Sequence, residues 1–283
     1  MDKRTIRVCT RKSPLAMRQT EIAIEELGKL RPEWDFEVIP MSTTGDDRLN
    51  WSLETTGGKG LFTSALEEAM VRGEADLAVH SSKDLPTEMA EGVCLAGYLK
   101  RAPAGDLVVL RESVETPSLI ATSSPRRRAQ LKKLFPKAAW KEIRGNVQTR
   151  LTKVSEGFAD ATVMAQAGLF RMGITEWPGL KFQELSLDDS VPAAGQGAIG
   201  LQVREGDVGL FKELLCAETA KAVDLERAWL SAMGGGCHSA TAAHFDGECL
   251  RVFDEDNGFR KITMPADKDW LAPETIRELM EEA

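Results

Sequence analysis

The chain has 283 residues, 42% hydrophobic and 28% charged, with a formal net charge of −8; this excludes a disordered or fibrous chain and leaves apolar material for two or three globular domains. No window approaches the length of a membrane span, and the opening Met1-Asp2-Lys3-Arg4-Thr5-Ile6-Arg7 has no apolar run of signal-peptide type, so a cytoplasmic protein is expected. Five cysteines, an odd number, at positions 9, 94, 216, 237 and 249 show neither a Cys-x-x-Cys pair nor metal-ligand spacing, which predicts reduced thiols and no metal.

Thr5 to Thr10 alternates as a first strand, and Ser13-Pro14 reads as an N-cap followed by proline at the first helical position. Leu15, Ile22, Ala23, Leu27 and Leu30 then fall on one face of a helix ending near Pro32. Arg11 and Ser13 thereby occupy a strand-to-helix turn, where backbone N–H groups and the helix dipole favour an anion. A second strand, Phe36 to Met41, runs into a polar loop from Ser42 to Gly60, long enough to be functional or mobile. Its end, Gly57-Gly58-Lys59-Gly60, resembles part of a phosphate loop, but the pattern's first glycine is missing and Gly60 stands where Ser or Thr is needed. Lys59 is therefore open between an anion contact and a solvated lysine.

A helix from about Leu61 to Arg72 precedes the apolar run Leu77 to Val79, which discharges into His80, Ser81, Ser82, Lys83 and Asp84 before Pro86. In an open α/β sheet the carboxyl ends of strands face the ligand crevice, so Lys83 and Asp84 would set a cation and a carboxylate side by side at the mouth of a site. The plainer alternative makes Asp84 the cap of a helix beginning near Pro86. Val93 to Gly97 supplies another strand, and the alternation of strands with helices predicts a largely parallel sheet. The cluster between Lys100 and Asp106 marks a domain boundary.

Beyond it the pattern restarts with strands Leu107 to Leu110 and Leu119 to Thr122, then Ser123-Ser124-Pro125-Arg126-Arg127-Arg128, again an N-cap followed by proline. Three cations at a positive helix end oppose the dipole preference, and a sequence tolerates them when an anion sits there. Glu142 to Arg144 leads into a further strand-to-helix turn carrying Arg144 and Arg150, the latter also compatible with a solvated helix face. From Thr122 to Lys153 ten Lys or Arg stand against Glu142 alone, a basic block inside an acidic chain. That distribution points to a small bound polyanion. Overall acidity, with only Phe135 and Trp140 among the basic residues, argues against nucleic acid.

Asp160 to Met164 reads as a strand and Ala165 to Met172 as a helix, and Val191 to Gly197 reads as a second crossing between domains before the strand Ala198 to Val203. A helix, Glu218 to Met233, stops at Gly234-Gly235-Gly236, with Cys237 directly after. Ala240 to Phe245, Glu248 to Phe253 and Phe259 to Met264 read as a small antiparallel sheet, closed by a helix from Pro273. Cysteines 9, 94, 216 and 249 read as buried core. Cys237 differs: the glycines before it remove side-chain bulk, so that a large group can approach or be attached to a nucleophilic thiolate. Cys237, His238 and His244 lack a recognised metal spacing.

Seven stretches, in order, resemble the porphobilinogen deaminase (hydroxymethylbilane synthase) family over essentially the whole chain. They are Thr10 to Ala16, Gly57 to Phe62, Ala78 to Pro86, Thr122 to Arg127, Arg144 to Val147, Gly195 to Ala198 and Gly235 to Cys237. The resemblance implies an α/β protein with two periplasmic-binding-protein-like lobes around a cleft plus a small C-terminal αβ domain with an antiparallel sheet. It implies domains over 1–98 with 195–215 (catalytic lobe), 99–194 (basic lobe) and 216–283 (cofactor attachment). It further implies a transferase that joins four porphobilinogens, releasing ammonia each time, on a covalent dipyrromethane. Asp84 carries over as the catalytic carboxylate and Cys237 as the thioether anchor. Lys83, Asp84, Ser123, Ser124, Arg126, Arg127 and Arg144 carry over to the cofactor, and Arg11, Ser13, Lys59, Thr122, Arg144, Arg150 and Gln196 to the substrate. The expected partner is porphobilinogen alone, with no nucleic acid, membrane or second subunit. Ser82, Pro125, Ala104-Gly105-Asp106 (without the family's arginine before the aspartate) and Ser239-Ala240 depart from the usual pattern. The rival from another class is a non-catalytic two-lobed solute-binding protein for a small polyanion, which would leave Asp84 and the glycine-flanked Cys237 idle.

Overall fold

A computed structural model describes residues 3–43, 63–234, 240–265 and 269–282. In chain order its elements are β1 (Arg4–Arg11), α1 (Pro14–Leu30), β2 (Trp34–Met41), α2 (Ser64–Val71), β3 (Leu77–Ser81) with a 3₁₀ turn Ser82–Asp84, β4 (Val93–Tyr98) and β5 (Asp106–Arg111). There follow β6 (Leu119–Ala121), α3 (Pro125–Leu131), β7 (Ala139–Lys141), α4 (Val147–Ser155), β8 (Ala161–Ala165), α5 (Gln166–Arg171), β9 (Leu180–Glu184) and β10 (Ile199–Arg204). The last are α6 (Val208–Phe211), α7 (Ala217–Ala232), β11 (Ala242–Phe245), β12 (Cys249–Asp254), β13 (Gly258–Thr263) and α8 (Pro273–Glu282). The described residues divide into two units, one from 3–102 and 198–220, the other from 103–197 and 221–282.

The first unit is built on a sheet ordered β2-β1-β3-β10-β4. β1 pairs in parallel with β2 and β3, whereas β10 runs antiparallel to both β3 and β4, so the expected largely parallel sheet is corrected to a mixed one. Both faces are covered, as the unbroken apolar run in β3 requires. Ile6, Val8, Leu77, Val79, Leu201 and Val203 pack with Ala23 and Leu27 of α1 and with Phe211. On the opposite face Cys9 and Ala78 meet Leu66 and Met70 of α2. The buried stripe of α1 is Ala16, Gln19, Thr20, Ala23 and Leu27, while Leu30, expected inside, is 51% exposed at the last residue of the helix. Gln19 is tolerated there because its amide meets the Ser81 hydroxyl, which lies 2.8 Å from Nε2 and 3.0 Å from Oε1.

The second unit repeats the same plan in the order β7-β6-β8-β5-β9, with β6 parallel to β7 and β8, and β5 antiparallel to β8 and β9. β9 went unread in the sequence, and β7 ends at Lys141, ahead of the expected strand over 142–144. Val108, Leu110, Ile120, Leu131, Ala161 and Val163 fill one face of this sheet. In the same unit the three-stranded antiparallel sheet β11-β12-β13 appears as read, packing Phe245, Leu250 and Val252 against Leu225 and Trp229 of α7 and Ile276 and Leu279 of α8. Among the other cysteines only Cys9 is fully buried, its thiol pushed up to about 12 by that burial. Cys94, Cys216 and Cys249 are half-buried, which corrects the expectation of four core thiols.

Candidate active site

In the first unit the parallel pairing of β1 with β3 brings two strand ends together. Arg11 closes β1, Ser13 caps α1 by accepting the Ala16 N–H at 3.3 Å, and Ser81 leads from β3 into the 3₁₀ turn that ends at Asp84. Arg11 Nη1 stands 3.8 Å from Asp84 Oδ2, and these two residues with Ser13, Gln19, Thr63 and His80 line one pocket. No helix begins at Pro86, so the capping alternative for Asp84 is removed. The Asp84 side chain is 36% exposed and within reach of a ligand. Thr63 is buried in the pocket wall with an Oγ1 that has no partner among the described residues, and Ser82 Oγ is orphaned likewise. Lys83 is half-buried in the same turn.

Behind this pocket runs a buried polar chain. His80 Nε2 lies 3.0 Å from Gln202 Oε1, and Gln202 Nε2 donates to Glu67 Oε1 at 2.8 Å. Burial, aided by the charge of Arg11, takes the His80 pKa from 6.5 down to about 4, so its imidazole is neutral in ordinary buffers.

The second unit presents the other expected residues at two strand-to-helix turns. Thr122 Oγ1 accepts the Ser124 N–H at 3.2 Å, and Ser124 Oγ caps α3 by accepting the Arg127 N–H at 3.4 Å. Ser123 Oγ donates to the Ile143 carbonyl at 2.8 Å and so ties this turn to the segment bearing Arg144. Arg144 and Arg150 are half-buried, with Arg150 Nε donating to the Gly145 carbonyl at 2.8 Å and Lys153 Nζ to the Arg144 carbonyl at 3.0 Å. Gly145 is obligatory there: its φ is +120°, and a Cβ would stand 2.6 Å from Thr149 Cγ2.

Arg126 and Arg127 turn inward onto Asp106, which is 0% exposed. Asp106 accepts from Arg126 Nη2 at 2.9 Å, Arg127 Nη2 at 2.7 Å and Nε at 3.2 Å, Ser190 Oγ at 3.0 Å and Gln196 Nε2 at 2.8 Å. Burial by itself would raise the Asp106 pKa, but the two guanidinium charges and the hydrogen bonds of Arg127 and Gln196 hold it well below the usual carboxylate range. Asp106 thus supplies one anion beside the first-turn arginines. Gln196 also donates to the Ala104 carbonyl at 2.6 Å, and Arg126 Nη1 to the Val191 carbonyl at 2.6 Å. Cys237 and Lys59 lie outside the described residues.

Asp106 enters the sequence reading only within a departure from the family's pattern, with no role of its own, and Arg171 does not enter it. Arg171, 9% exposed at the end of α5, donates Nη2 to the Gly197 carbonyl at 2.7 Å, and burial brings its pKa down to about 10. The available signal was an acidic residue opening an otherwise apolar strand and a basic one closing a short apolar helix.

A family model described as "Porphobilinogen deaminase, dipyromethane cofactor binding domain" matches residues 6–212. The chain belongs to the porphobilinogen deaminase family. It is 38% identical over 290 residues to the porphobilinogen deaminase of Thiobacillus denitrificans, covering 98% of this chain and 94% of that protein. It is 41% identical over 249 residues to that of Streptococcus sanguinis, covering 85% and 81%. Among solved structures, the periplasmic VFT2 domain of Bordetella pertussis BvgS aligns with a TM-score of 0.42 at 18% identity, over 74% of this chain and 85% of that one. The cofactor of the family is dipyrromethane. The described residues fit such a group, because carboxylate arms call for cations and hydroxyls: the first unit offers Arg11, Lys83 and the orphaned Thr63 hydroxyl near Asp84, and the second unit offers Arg144 and Arg150.

Proposed function

We propose that the chain joins four porphobilinogens head to tail into hydroxymethylbilane, releasing ammonia at each addition, on a dipyrromethane held as a thioether by Cys237. The observation that carries this reading is the half-buried carboxylate of Asp84, 3.8 Å from the Arg11 guanidinium at the exits of neighbouring parallel strands. When the C–N bond of the substrate's aminomethyl arm breaks, its electron pair leaves on ammonia and positive charge spreads over the pyrrole. Asp84 meets that charge and accepts from the ring N–H, while Arg11 keeps the carboxylate in place. The dipyrromethane, when bound, supplies the primer for chain extension. Lys83, Ser123, Ser124, Arg126, Arg127 and Arg144 hold its carboxylates, and Arg11, Ser13, Lys59, Thr122, Arg144, Arg150 and Gln196 hold those of the substrate. Two arginines sharing Asp106 leave one net positive charge, which supports a role for that turn in binding an anion.

The same reading divides the chain into a catalytic lobe (1–98 and 195–215), a basic lobe (99–194) and a cofactor-attachment domain (216–283), and makes it a cytoplasmic monomer that binds no nucleic acid. Intact mass tests it directly. Protein made with haem precursors available should exceed the sequence mass by two pyrrole units, react with Ehrlich's reagent and lose both properties in Cys237→Ser. An unmodified wild-type mass would refute the reading in favour of a non-catalytic solute binder.

A further inference from the structure

The chain Glu67–Gln202–His80 has one allowed direction. Gln202 donates its amide nitrogen to Glu67 Oε1 at 2.8 Å and so leaves its carbonyl oxygen, 3.0 Å away, for His80 Nε2. His80 must then donate from Nε2. Its imidazole is neutral, which places the lone pair on Nδ1. Three elements build this wiring. His80 on β3 and Gln202 on β10 are diagonal neighbours in the antiparallel pair, since Gly200 faces His80 and Gln202 faces Ala78. Glu67 comes from the first turn of α2, which Thr63 opens at the wall of the Arg11–Asp84 pocket.

The geometry points to Glu67 and Gln202 as positioning residues that lock His80 in the Nε2–H tautomer, so that Nδ1 serves as a hydrogen-bond acceptor for the N–H of the substrate's aminomethyl arm in the Arg11–Asp84 pocket. This rests on the function proposed above. The charges around His80 make the arrangement useful. Arg11 can only donate and Asp84 is committed to the developing cation, so a neutral acceptor is the element that neither supplies. Had the tautomer been reversed, Nδ1 would present a proton to a donor and repel it.

The test uses full-length holoenzyme labelled with ¹⁵N-histidine, which gives three imidazoles, that of His80 being assigned with His80→Gln. The wild-type His80 is expected to be protonated at Nε2 only. Glu67→Gln is isosteric but can donate, which frees Gln202 to flip; it should shift the His80 signal towards Nδ1–H and lower kcat about tenfold, the loss of one hydrogen bond, with KM little changed. Gln202→Met removes the acceptor altogether and should release the tautomer likewise, should the first variant not fold. A wild-type proton on Nδ1 overturns the inference, as does a changed tautomer with unchanged kcat or a lowered kcat with an unchanged tautomer. Failure of the proposed function itself would show separately, as a missing two-pyrrole mass increment, and the imidazole signals remain readable in that protein.

Discussion

Replacing Asp106 removes the one carboxylate that Arg126 and Arg127 share. Asp106→Asn keeps the shape and one acceptor but drops the charge and opposes an amide N–H to guanidinium donors. The two arginine side chains are 6% and 8% exposed and the aspartate 0%, so solvent screening does little to replace it. Breaking a buried pair by removing one partner costs about 3–5 kcal/mol. At roughly 2–4 °C per kcal/mol, the melting transition should fall by roughly 6–20 °C. The sign of the pH dependence follows from the depressed pKa. The stabilisation is complete above the unfolded value of about 3.9 and is lost as pH falls below it, so wild type and variant should converge in acid. Thermal melting by circular dichroism at pH 7 and at descending pH measures both effects. A shift under about 2 °C at pH 7 would show that Asp106 is not the counter-ion that organises this turn.

Asp84→Asn should reduce hydroxymethylbilane formation by at least ~10², the scale of one preorganised electrostatic group, while Asp84→Glu, displaced but still charged, should retain more; near-normal turnover by the asparagine variant would remove Asp84 from the mechanism. Arg144→Leu should weaken cofactor loading or chain extension, with Arg144→Lys restoring part of it because a point charge lacks the bidentate fork, and normal loading and turnover by both would exclude Arg144 from the site. Glu226, buried in α7, accepts the Gly195 N–H at 2.7 Å and the Phe245 N–H at 2.8 Å. Glu226→Ala should therefore cost ~1–3 kcal/mol per orphaned group in the second unit, read as a lowered melting transition, and an unaltered transition would count against these bonds.

The residues at strand exits were legible because local rules place them. A proline after a serine starts α1 and α3, and a short apolar run ends at Asp84. What stayed hidden was tertiary. Arginines in the first turn of α3 signalled an anion, but nothing local said that Asp106, about twenty residues upstream, would be it. β10 was read as a strand, yet its antiparallel place between β3 and β4 depends on partners far away in sequence. Gln19 and Gln202, polar residues at buried positions, are explained only by the side chains they meet across the sheet. Leu30 followed the helical period and still faces water, because periodicity does not say where the helix leaves the core.

The position of β10 also bears on how the protein is made. All five strands of the second unit's first sheet lie within residues 106–184, so that sheet can close as soon as this stretch has left the ribosome. The sheet begun by β1 to β4 cannot, because its penultimate strand is encoded at 199–204 and has to be inserted between strands made much earlier. The nascent N-terminal segment therefore waits with β3 and β4 unpaired along the edges that β10 will fill. Such edges recruit other chains. Premature termination anywhere between residues 102 and 198 should consequently give insoluble fragments rather than a folded N-terminal half, and the middle of the chain, not its beginning, is where vectorial folding can first complete a structure.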